Sequence, residues 1–463
     1  MRGKRKIHFP AILASVQNVR LKSRYFSIHP MNILMYFIIC ILFALSDLFS
    51  ESLGWKESLS IANKNNPAYD AERLNLEIAR SEIITSGLLP NPSFNNQVIV
   101  RGEPESIRNT YTYPQDFGGN TIGVGGRKEP FHPMNRQDWF QMTMRIPVAG
   151  QRQLAIELAK NNLRVARENL KEFQRNLFFI TANKWLDVWL SGKKVELYEK
   201  AKTFSVDLLR KNEYRLKNEV ITKTEFSRTQ ILDQKYQAQL ALEQVNFKNE
   251  LRKLGVLLGT DKEIMINQRD DFKIPEWLET EDELYDYSYR NRPDLLAYLA
   301  QIDSARKDID LQEAFAYPQP EVGIISNPQN GEKYYGTFLT LPLPVFNRNQ
   351  GNILKSKSTL IQKQEYLRNI ELSLRTEVRN SLAEYKIAKE NYDRYKVISN
   401  LSNSVRETVE YGYLKGGTTI VDFLEAQRNW LETQSQFYDF YWNYSRTYFQ
   451  LLYVSSKILE VEK

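Results

Sequence analysis

The chain has 463 residues, of which 42% are hydrophobic and 26% are charged, and its formal net charge is +7. The whole surplus lies in residues 1–46, which contain seven lysines and arginines and no acid, so the rest of the chain is neutral. This neutrality argues against a nucleic-acid partner, and the abundance of Lys, Glu, Gln, Arg and Leu is typical of long helices more than of a globular enzyme.

Residues 1–46 are predicted to be a secretory signal peptide. Basic residues precede the apolar run MNILMYFIICILFALS, which ends in a small-x-small cleavage pattern at Ser46, and Met31 is an alternative start. A membrane anchor is the other interpretation, although the run of about 16 residues is shorter than the ~20 that a spanning helix needs. Cys40, the only cysteine, lies within the run and lacks the preceding small residue that lipidation requires. The exported chain is therefore expected to contain no thiol.

The remaining chain is predicted to be internally duplicated, because similar residues recur at constant offsets. Seven pairs lie 197 positions apart: Pro147 and Pro344, Val148 and Val345, Tyr214 and Tyr411, Thr222 and Thr419, Glu225 and Asp422, Phe226 and Phe423, and Gln230 and Gln427. Upstream, LPNPSF and YPQPEV lie 228 positions apart, and the fall in offset from 228 to 197 leaves 31 extra residues in the first copy, between about 93 and 146. We therefore assign a first repeat to 47–259, a connector to 260–279 and a second repeat to 280–463.

Each repeat begins with a predicted helix, at 53–87 and at 280–315, which ends at a Pro-x-Pro sequence. Period-two alternation then predicts strands. In DWFQMTMRI (138–146), one face carries Phe140, Met142, Met144 and Ile146, and the other carries Gln141, Thr143 and Arg145. Further strands are predicted at 93–101, 320–326 and 334–341, so that each repeat contributes one β-hairpin.

A long helix follows each β-hairpin. From Pro147 to about residue 213 only Gly150 and Gly192 act as breakers, and such a helix could reach roughly 100 Å. Turns at about 214–221 and 411–418 then lead into return helices at about 222–258 and 419–457. Two apolar seams have coiled-coil spacing: Leu163, Ala166, Leu170, Phe173, Leu177 and Ile180, and Leu374, Val378, Tyr385, Ala388, Tyr392 and Tyr395. A second stripe of Phe178, Ala182, Trp185 and Trp189 predicts neighbours on two sides, as in a closed ring of helices.

Four strands cannot close a barrel, and open sheet edges in lipid would leave backbone groups unpaired. If the strands enter a bilayer, several chains must share one barrel, and three copies would supply 12 strands. A soluble sheet packed on helices is the alternative that alternation alone does not exclude. Export, the length of the helices and the aromatic residues near strand ends (Trp139, Tyr334 and Tyr335) favour the membrane barrel.

In these features the chain resembles the TolC-like outer-membrane efflux proteins, the outer-membrane factors of tripartite efflux and secretion systems. The resemblance lies in the duplicated plan, the Pro-x-Pro exits, the stretch LPLPVFNRNQG (341–351) and the tip YLKGGTTIVDFLEAQ (413–427). It implies an α+β membrane protein in which long antiparallel helices form an α-barrel. Four strands per chain would complete a 12-stranded transmembrane β-barrel in a homotrimer.

Two acids at the second helical tip are candidate pore residues. Thr419 and Asp422 fit a capping box, which Thr222 and Glu225 repeat in the first copy, so capping alone accounts for Asp422. Glu425 lies three residues further on, approximately on the same helix face. The resemblance implies that Asp422 and Glu425 line the closed periplasmic aperture and that Tyr413 helps to hold it shut. The family's arginine is replaced by Thr418, which is a departure from that lock.

The resemblance also implies partners. The tips would contact the hairpins of a periplasmic adaptor through residues exposed at the two turns: Leu216, Asn218, Val220, Leu414, Gly416 and Gly417. A turn that merely needs glycine is the simpler interpretation of Gly416 and Gly417, and both roles are compatible. An inner-membrane pump of the RND or ABC type would energise transport, and outer-membrane lipid would surround the barrel.

The sequence offers no enzyme signature. Histidine occurs only at His8, His29 and His132, so neither a His/Cys metal cluster nor a Ser/His/Asp arrangement is expected. The glycine-rich stretch 118–126 lacks the Gly-Lys-Ser/Thr ending of a phosphate-binding loop and is predicted to be part of a long outer loop. We therefore expect no catalytic residues, cofactor or metal.

These observations predict an exit duct that passes substrates from an inner-membrane pump and its adaptor across the periplasm and outer membrane. The alternative is a periplasmic coiled-coil scaffold or adaptor protein without a barrel.

Overall fold

The computed structural model of the chain describes residues 53–100, 136–262, 264–266, 274–329 and 332–461. The predicted signal peptide, with Met31 and Cys40, lies outside these ranges. So do His132 and the glycine-rich stretch 118–126.

Eight helices and four strands of the described residues follow one another in an order that is the same in both halves. The first half comprises α1 (Trp55–Asn65), α2 (Pro67–Gly87), β1 (Ser93–Val100), β2 (Arg136–Arg145), α3 (Gln151–Lys217) and α4 (Lys223–Leu257). The second comprises α5 (Glu281–Asn291), α6 (Pro293–Ala314), β3 (Glu321–Gln329), β4 (Glu332–Thr340), α7 (Gln350–Leu414) and α8 (Ile420–Val454), followed by a short 3₁₀ turn at Lys457–Glu460.

The first predicted helix of each half is divided in two by a proline. The residues before Pro67 and Pro293 have extended backbone, with ψ of 118° at Asn66 and 120° at Arg292, because proline disfavours helical geometry in the preceding residue. The Asn66 side chain then caps α2, since its Oδ1 accepts hydrogen bonds from the backbone N–H groups of Ala68 and Tyr69.

The four strands form one antiparallel sheet in the order β1-β2-β3-β4. The register aligns Phe94, Met142 and Ile324 across the first three strands, and Val322 with Leu339 across the last two. These residues therefore share one apolar face, as alternation in 138–146 predicted. No helix of the described residues covers this face: Phe94 is 68% and Leu339 66% exposed.

The opposite face of the sheet is more polar. Here Ser93 and Thr143 are hydrogen-bonded at 2.6 Å, and Arg145 Nε donates to Glu321 Oε1 at 2.5 Å. Gly323 is required beneath an aromatic ring, because an added Cβ would lie 2.5 Å from two ring atoms of Phe338. The sheet thus has one apolar and one more polar surface.

The main hydrophobic core lies in the middle of the long helices. The stripe Phe178, Ala182, Trp185 and Trp189 is buried against α1, the end of α4 and the end of α8, as two-sided packing of α3 predicted. A second core joins α5 and α6 to Leu374, Val378 and Tyr385 of α7. The seam predicted on α3 is only partly buried, because Ile180 at its end is exposed.

None of the helices in the described ranges combines the length and the hydropathy that a membrane-spanning helix needs.

Candidate functional site at the helical tips

The two helical hairpins, α3–α4 and α7–α8, end in short turns at 218–222 and 415–419. Both turns contain fewer residues than predicted, because α3 and α7 continue a few residues further. Each helix ends in a Schellman motif: Val220 N–H donates to Arg215 O at 2.9 Å, and Gly417 N–H donates to Gly412 O at 2.8 Å. The left-handed position is Gly416 in the second turn, with φ of 80°, so this glycine has a structural role of its own.

The first turn uses Glu219 at the same left-handed position, with φ of 59°. In this conformation the Cβ atom of a non-glycine residue crowds the backbone, which raises the conformational energy by roughly 1 kcal/mol, whereas glycine has no Cβ. The two tips therefore have the same backbone geometry but different backbone strain.

Each return helix begins with a capping box. In the first hairpin, Glu225 N–H donates to Thr222 Oγ1 at 3.2 Å, and Thr222 N–H donates to Glu225 Oε2 at 2.7 Å. The latter bond lowers the pKa of Glu225, and the charge of Arg215 adds to the effect. In the second hairpin, Asp422 N–H donates to Thr419 Oγ1 at 3.2 Å, and Thr419 Oγ1 donates to Asp422 Oδ2 at 2.7 Å.

Asp422 and Glu425 lie on the exposed side of the first turns of α8. The carboxylate of Asp422 is engaged in the cap, whereas Glu425 makes no hydrogen bond or ion pair with any described residue. The position 197 residues earlier is Arg228, so the two hairpins present opposite charges there. Glu425 is thus the acid whose charge is free to act on an ion outside the chain.

Tyr413 lies in the contact between the two hairpins, where it is buried. Its hydroxyl donates to Asn212 Oδ1 at 2.9 Å, and Asn212 Nδ2 donates to Thr229 Oγ1 at 2.9 Å. Its ring stacks on Phe423 at 4.9 Å between centroids, and the Arg215 guanidinium carbon lies 4.7 Å from the centroid. Burial raises the pKa of Tyr413 above its ordinary value, so the phenol stays protonated and can donate this bond.

Sequence reasoning did not identify Asn212, Arg215 or Thr229. A signal was present for Asn212, because Leu208, Asn212 and Leu216 lie four residues apart on one side of α3. A polar residue within such an apolar stripe indicates a buried hydrogen bond.

A groove of about 490 Å³ runs beside the tips, between α3 and the α7–α8 hairpin. Its apolar wall includes Phe204, Leu208, Leu414 and Phe423, and its charged rim includes Glu199, Lys200, Asp207, Lys211 and Glu410. Of the residues predicted to contact an adaptor, Leu414 lines this groove, whereas Asn218 and Val220 are exposed at the other turn. The groove has the amphipathic character that an α-helix recognises.

In the described ranges, no group of three or more His, Cys, Asp or Glu residues is arranged to hold a metal ion.

Residues 284–452 match the family model described as "Outer membrane efflux protein". Over this stretch the chain is similar to the outer membrane efflux proteins. The resemblance inferred from the sequence is therefore confirmed over this stretch, and a match to an outer membrane family agrees with the predicted location. The matched family and the similar solved structures are described as efflux proteins and outer membrane channels. No curated protein matches the sequence.

Solved structures agree in fold with this chain. A membrane protein from Pseudomonas aeruginosa has a TM-score of 0.69 and 16% identity, over 87% of this chain and 90% of that one. The open state of the Neisseria gonorrhoeae MtrE outer membrane channel gives 0.67 and 15%, over 87% and 88%. The Campylobacter jejuni CmeC outer membrane channel gives 0.65 and 14%, over 88% and 89%. At these identities the likeness establishes the TolC-like fold alone.

Proposed function

We propose that this chain is an outer-membrane efflux channel, that it serves as the exit duct of a tripartite system, and that it works as a homotrimer. Three chains would close a 12-stranded barrel in the outer membrane above a periplasmic tunnel of helices. An inner-membrane pump of the RND or ABC type would deliver substrate through a periplasmic adaptor. The duct itself would be passive, and partner binding would favour its open state.

The observation that carries this proposal is a sheet with one uncovered apolar face and two free edges. Among the described strands, β1 pairs only with β2 and β4 pairs only with β3. Backbone groups on such edges cannot remain unpaired in lipid, so the sheet must be completed by other chains. The helices that follow are about 100 Å long at 1.5 Å per residue, which is enough to extend far from the membrane.

The acids of α8 would form the narrow part of the duct. Threefold symmetry would place three copies each of Asp422 and Glu425 around one axis, where six carboxylates attract cations and repel one another. Because Glu425 has no partner among the described residues, we assign it the larger part in ion selection. Asp422 would contribute while it also caps its helix.

The contact around Tyr413 would hold the tips in the closed arrangement. Opening requires the α7–α8 hairpin to move relative to α3, and this motion would break the Tyr413–Asn212 hydrogen bond. Thr418 replaces the arginine that the resemblance leads us to expect. In this chain Arg215 of the other hairpin lies against the Tyr413 ring, so a cation still stabilises the closed contact.

The tips and the groove beside them would receive the adaptor. Leu216 and Leu414 are apolar, Asn218, Val220, Gly416 and Gly417 are exposed, and the groove combines an apolar wall with charged rims. An amphipathic helical hairpin fits such a surface. Within this proposal, the chain retains the arrangement predicted from sequence: a removed leader at 1–46, two duplicated repeats and a connector at 260–279.

Membrane fractionation tests the proposal against the scaffold alternative. The full chain is expected to remain with the outer membrane after a high-salt wash and to be released only by detergent, because an apolar barrel surface is held by the hydrophobic effect. Salt screens charge contacts, so release by salt alone would indicate a peripheral scaffold. An ordinary periplasmic protein serves as the control for lysis.

A further inference from the structure

The polar face of the sheet carries two aromatic side chains that contact with lipid does not explain. Tyr335 lies on the apolar face, in one row with Ser326 and Phe140. Trp139 and Tyr334 are the chain neighbours of Phe140 and Tyr335, so alternation turns them to the polar face. The aromatic girdles of transmembrane barrels stand on the outer surface, whereas the interior is polar. A girdle therefore accounts for Tyr335 alone.

The register places these two rings in one row with two carboxamides. Gln97 is paired with Trp139, and Asn327 is paired with Tyr334. Between the two middle strands the register includes the pair Phe140–Ser326, so the next residues in line are Trp139 and Asn327. We call this set the amide–aromatic row, in strand order from β1 to β4: Gln97, Trp139, Asn327 and Tyr334. Carboxamides and aromatic rings alternate along it.

The side chains of the amide–aromatic row are accessible. Tyr334 is 56% exposed, Gln97 is exposed, and both Trp139 and Asn327 are half-buried. Phe338, four residues along β4 from Tyr334, differs because its ring lies directly over the backbone of Gly323. An exposed tyrosine ring contributes much less to the packing of the sheet than a ring held in this way. Its exposure leaves Tyr334 available to a ligand.

The surface around the row is electrically neutral. The next polar-face row toward the helices contains the amides Asn95 and Gln141, which are paired with each other. Among the polar-face side chains that the structure describes, the only charged ones are Arg145 and Glu321. They neutralise each other, since Arg145 Nε lies 2.5 Å from Glu321 Oε1. A charged ligand would therefore find no unpaired opposite charge among these residues.

We infer that the amide–aromatic row is a binding site for uncharged carbohydrate inside the barrel. The inference rests on the proposed function, in which the apolar face of the sheet contacts lipid and the polar face lines the lumen. Three copies would place three identical rows around the lumen. Because barrel strands tilt by roughly 35–45°, each row is inclined to the axis, and the three rows form a band.

A sugar has the two kinds of surface that the row offers. The C–H groups on the faces of a pyranose are apolar and stack on aromatic rings, whereas the hydroxyls at its edge donate and accept hydrogen bonds. A side-chain carboxamide also donates and accepts. Neighbouring strands are about 4.8 Å apart, so a sugar stacked on Trp139 or Tyr334 has its edge close to Asn327 between them.

Other ligand classes fit only part of the row. An organic cation is attracted to the face of an aromatic ring, but it gains little from the amide N–H groups beside it. A flat aromatic compound stacks on the rings and offers no hydroxyl to the carboxamides, which then lose hydrogen bonds to water without replacement. Alternation of rings and carboxamides on a neutral surface therefore favours carbohydrate.

The experiment records currents through the full-length channel in a planar lipid bilayer, with maltohexaose added at the outer mouth of the barrel. We expect brief interruptions that become more frequent as the sugar concentration rises. Trp139→Ala and Tyr334→Ala should each raise the half-blocking concentration at least about tenfold, because stacked apolar area is lost. Tyr335→Ala is the matched control, since it removes the neighbouring ring from the apolar face. Equal half-blocking concentrations in Tyr334→Ala and Tyr335→Ala would overturn the inference.

Gln97→Leu separates carbohydrate from the other ligand classes. The change keeps both rings and removes one carboxamide, so block by maltohexaose should weaken by about three- to tenfold. Block by tetrabutylammonium, a cation without hydroxyls, should be the same as in the parent channel. A parent channel that tetrabutylammonium blocks and maltohexaose does not block would overturn the assignment to carbohydrate.

Addition of maltohexaose from the tip side distinguishes two sources of the sugar. Block from this side would identify a carbohydrate that enters through the tips and is exported. Block from the barrel side alone would identify a glycan that enters from outside the cell. Both results support the amide–aromatic row.

Native mass and retention on amylose separate this inference from the proposed function. Each variant should have the native mass of the parent protein. If Trp139→Ala fails to assemble, the exposed positions of Tyr334→Ala and Gln97→Leu still allow the test. A conducting three-chain particle that maltohexaose does not block and amylose does not retain would overturn the inference and leave the duct intact. A monomer would overturn both.

Discussion

Asp422 and Glu425 lie about one turn apart near the start of α8, but their surroundings differ. The Asp422 carboxylate accepts a hydrogen bond from Thr419 and completes a helix cap. Glu425 is exposed and makes no bond with a described residue. A variant of Asp422 therefore changes both the helix start and the charge of the tip, whereas a variant of Glu425 changes the charge alone.

Glu425→Gln is expected to reduce the cation selectivity of the channel and its block by multivalent cations. Three negative charges would be lost from the aperture. The free energy of unfolding should change by less than about 0.5 kcal/mol, because the side chain is exposed. Reversal potentials across a salt gradient measure the effect. Glu384→Gln, an exposed acid in the middle of α7, is the control. Identical selectivity in all three proteins would show that Glu425 is ordinary surface charge.

Tyr413→Phe is expected to open the tips more often. The change removes the hydroxyl that donates to Asn212 Oδ1. Because a buried acceptor is left unpaired, the contact between the hairpins loses about 1–3 kcal/mol of stabilising free energy. The open probability in bilayer recordings should rise, and the melting temperature should fall. Tyr411→Phe is the matched control, since Tyr411 is two residues away and exposed. Equal behaviour of the two variants would refute a closing role for Tyr413.

At the residue scale, local chemistry could be predicted from sequence and distant contacts could not. The Thr419–Asp422 and Thr222–Glu225 pairs are three residues apart, so a capping pattern was sufficient to suggest the observed geometry. Tyr413 and Asn212 are 201 residues apart. Their contact depends on how the two hairpins pack, which no local pattern contains.

The junction of the helical elements is held by a buried charge network. Arg175 on α3 donates to both carboxylate oxygens of Glu172 at 2.7 Å and to Tyr453 O, near the end of α8, at 2.9 Å. Arg292, before α6, joins Asp294 to Glu377 of α7, with its shortest bond to each acid at 2.6 Å. These contacts link α3, α6, α7 and α8 near the middle of the molecule.

The network makes stability depend on pH. Burial alone would raise the pKa of Asp294, but the hydrogen bonds and charge of Arg292 outweigh it and hold that pKa below its ordinary value. Because the folded-state pKa is lowered, ionised Asp294 stabilises the fold above the unfolded-state pKa. This stabilisation is lost as pH falls through the folded-state pKa.

Arg292→Met is expected to destabilise the chain by about 3–5 kcal/mol near neutral pH, because the partly buried Asp294 loses its main partner and the more exposed Glu377 loses a hydrogen bond. The pKa of Asp294 should rise, so protonation on acidification should begin at a higher pH than in the parent protein. Melting temperatures between about pH 7 and pH 3 measure both effects. Arg379→Met, which removes an exposed pair with Glu281, should cost at most about 1 kcal/mol. Equal losses in the two variants would contradict a special role for this network.

At the element scale, the sequence predicted the long helices and strands well because few breakers occur within them. The division of the first helix in each half was missed, although Pro67 and Pro293 were visible. A proline at the first position of a helix and a proline within a helix look alike in sequence. The extended backbone at Asn66 and Arg292 distinguishes them.

At the scale of the whole molecule, the sheet formed by the described strands is open at both edges. The alternation of apolar and polar residues predicted which strand residues share the apolar face. Because four strands cannot close a barrel, the sequence also led us to expect that several chains share one. Which residues lie near opposite edges of this sheet could not be predicted, because Leu88, before β1, and Phe346, after β4, have no periodic relationship in the sequence. Their positions on opposite edges of the fold became apparent only from the strand order.

We propose above all that copies of this chain close a channel through the outer membrane. Detergent-extracted full-length protein, of measured native mass, should be reconstituted into a planar lipid bilayer and its single-channel currents recorded. We predict discrete, cation-selective conductance steps from a preparation that contains three chains per particle. A correctly folded three-chain particle that inserts into the bilayer but carries no current under any applied voltage, even with Tyr413→Phe to loosen its tips, would contradict the claim.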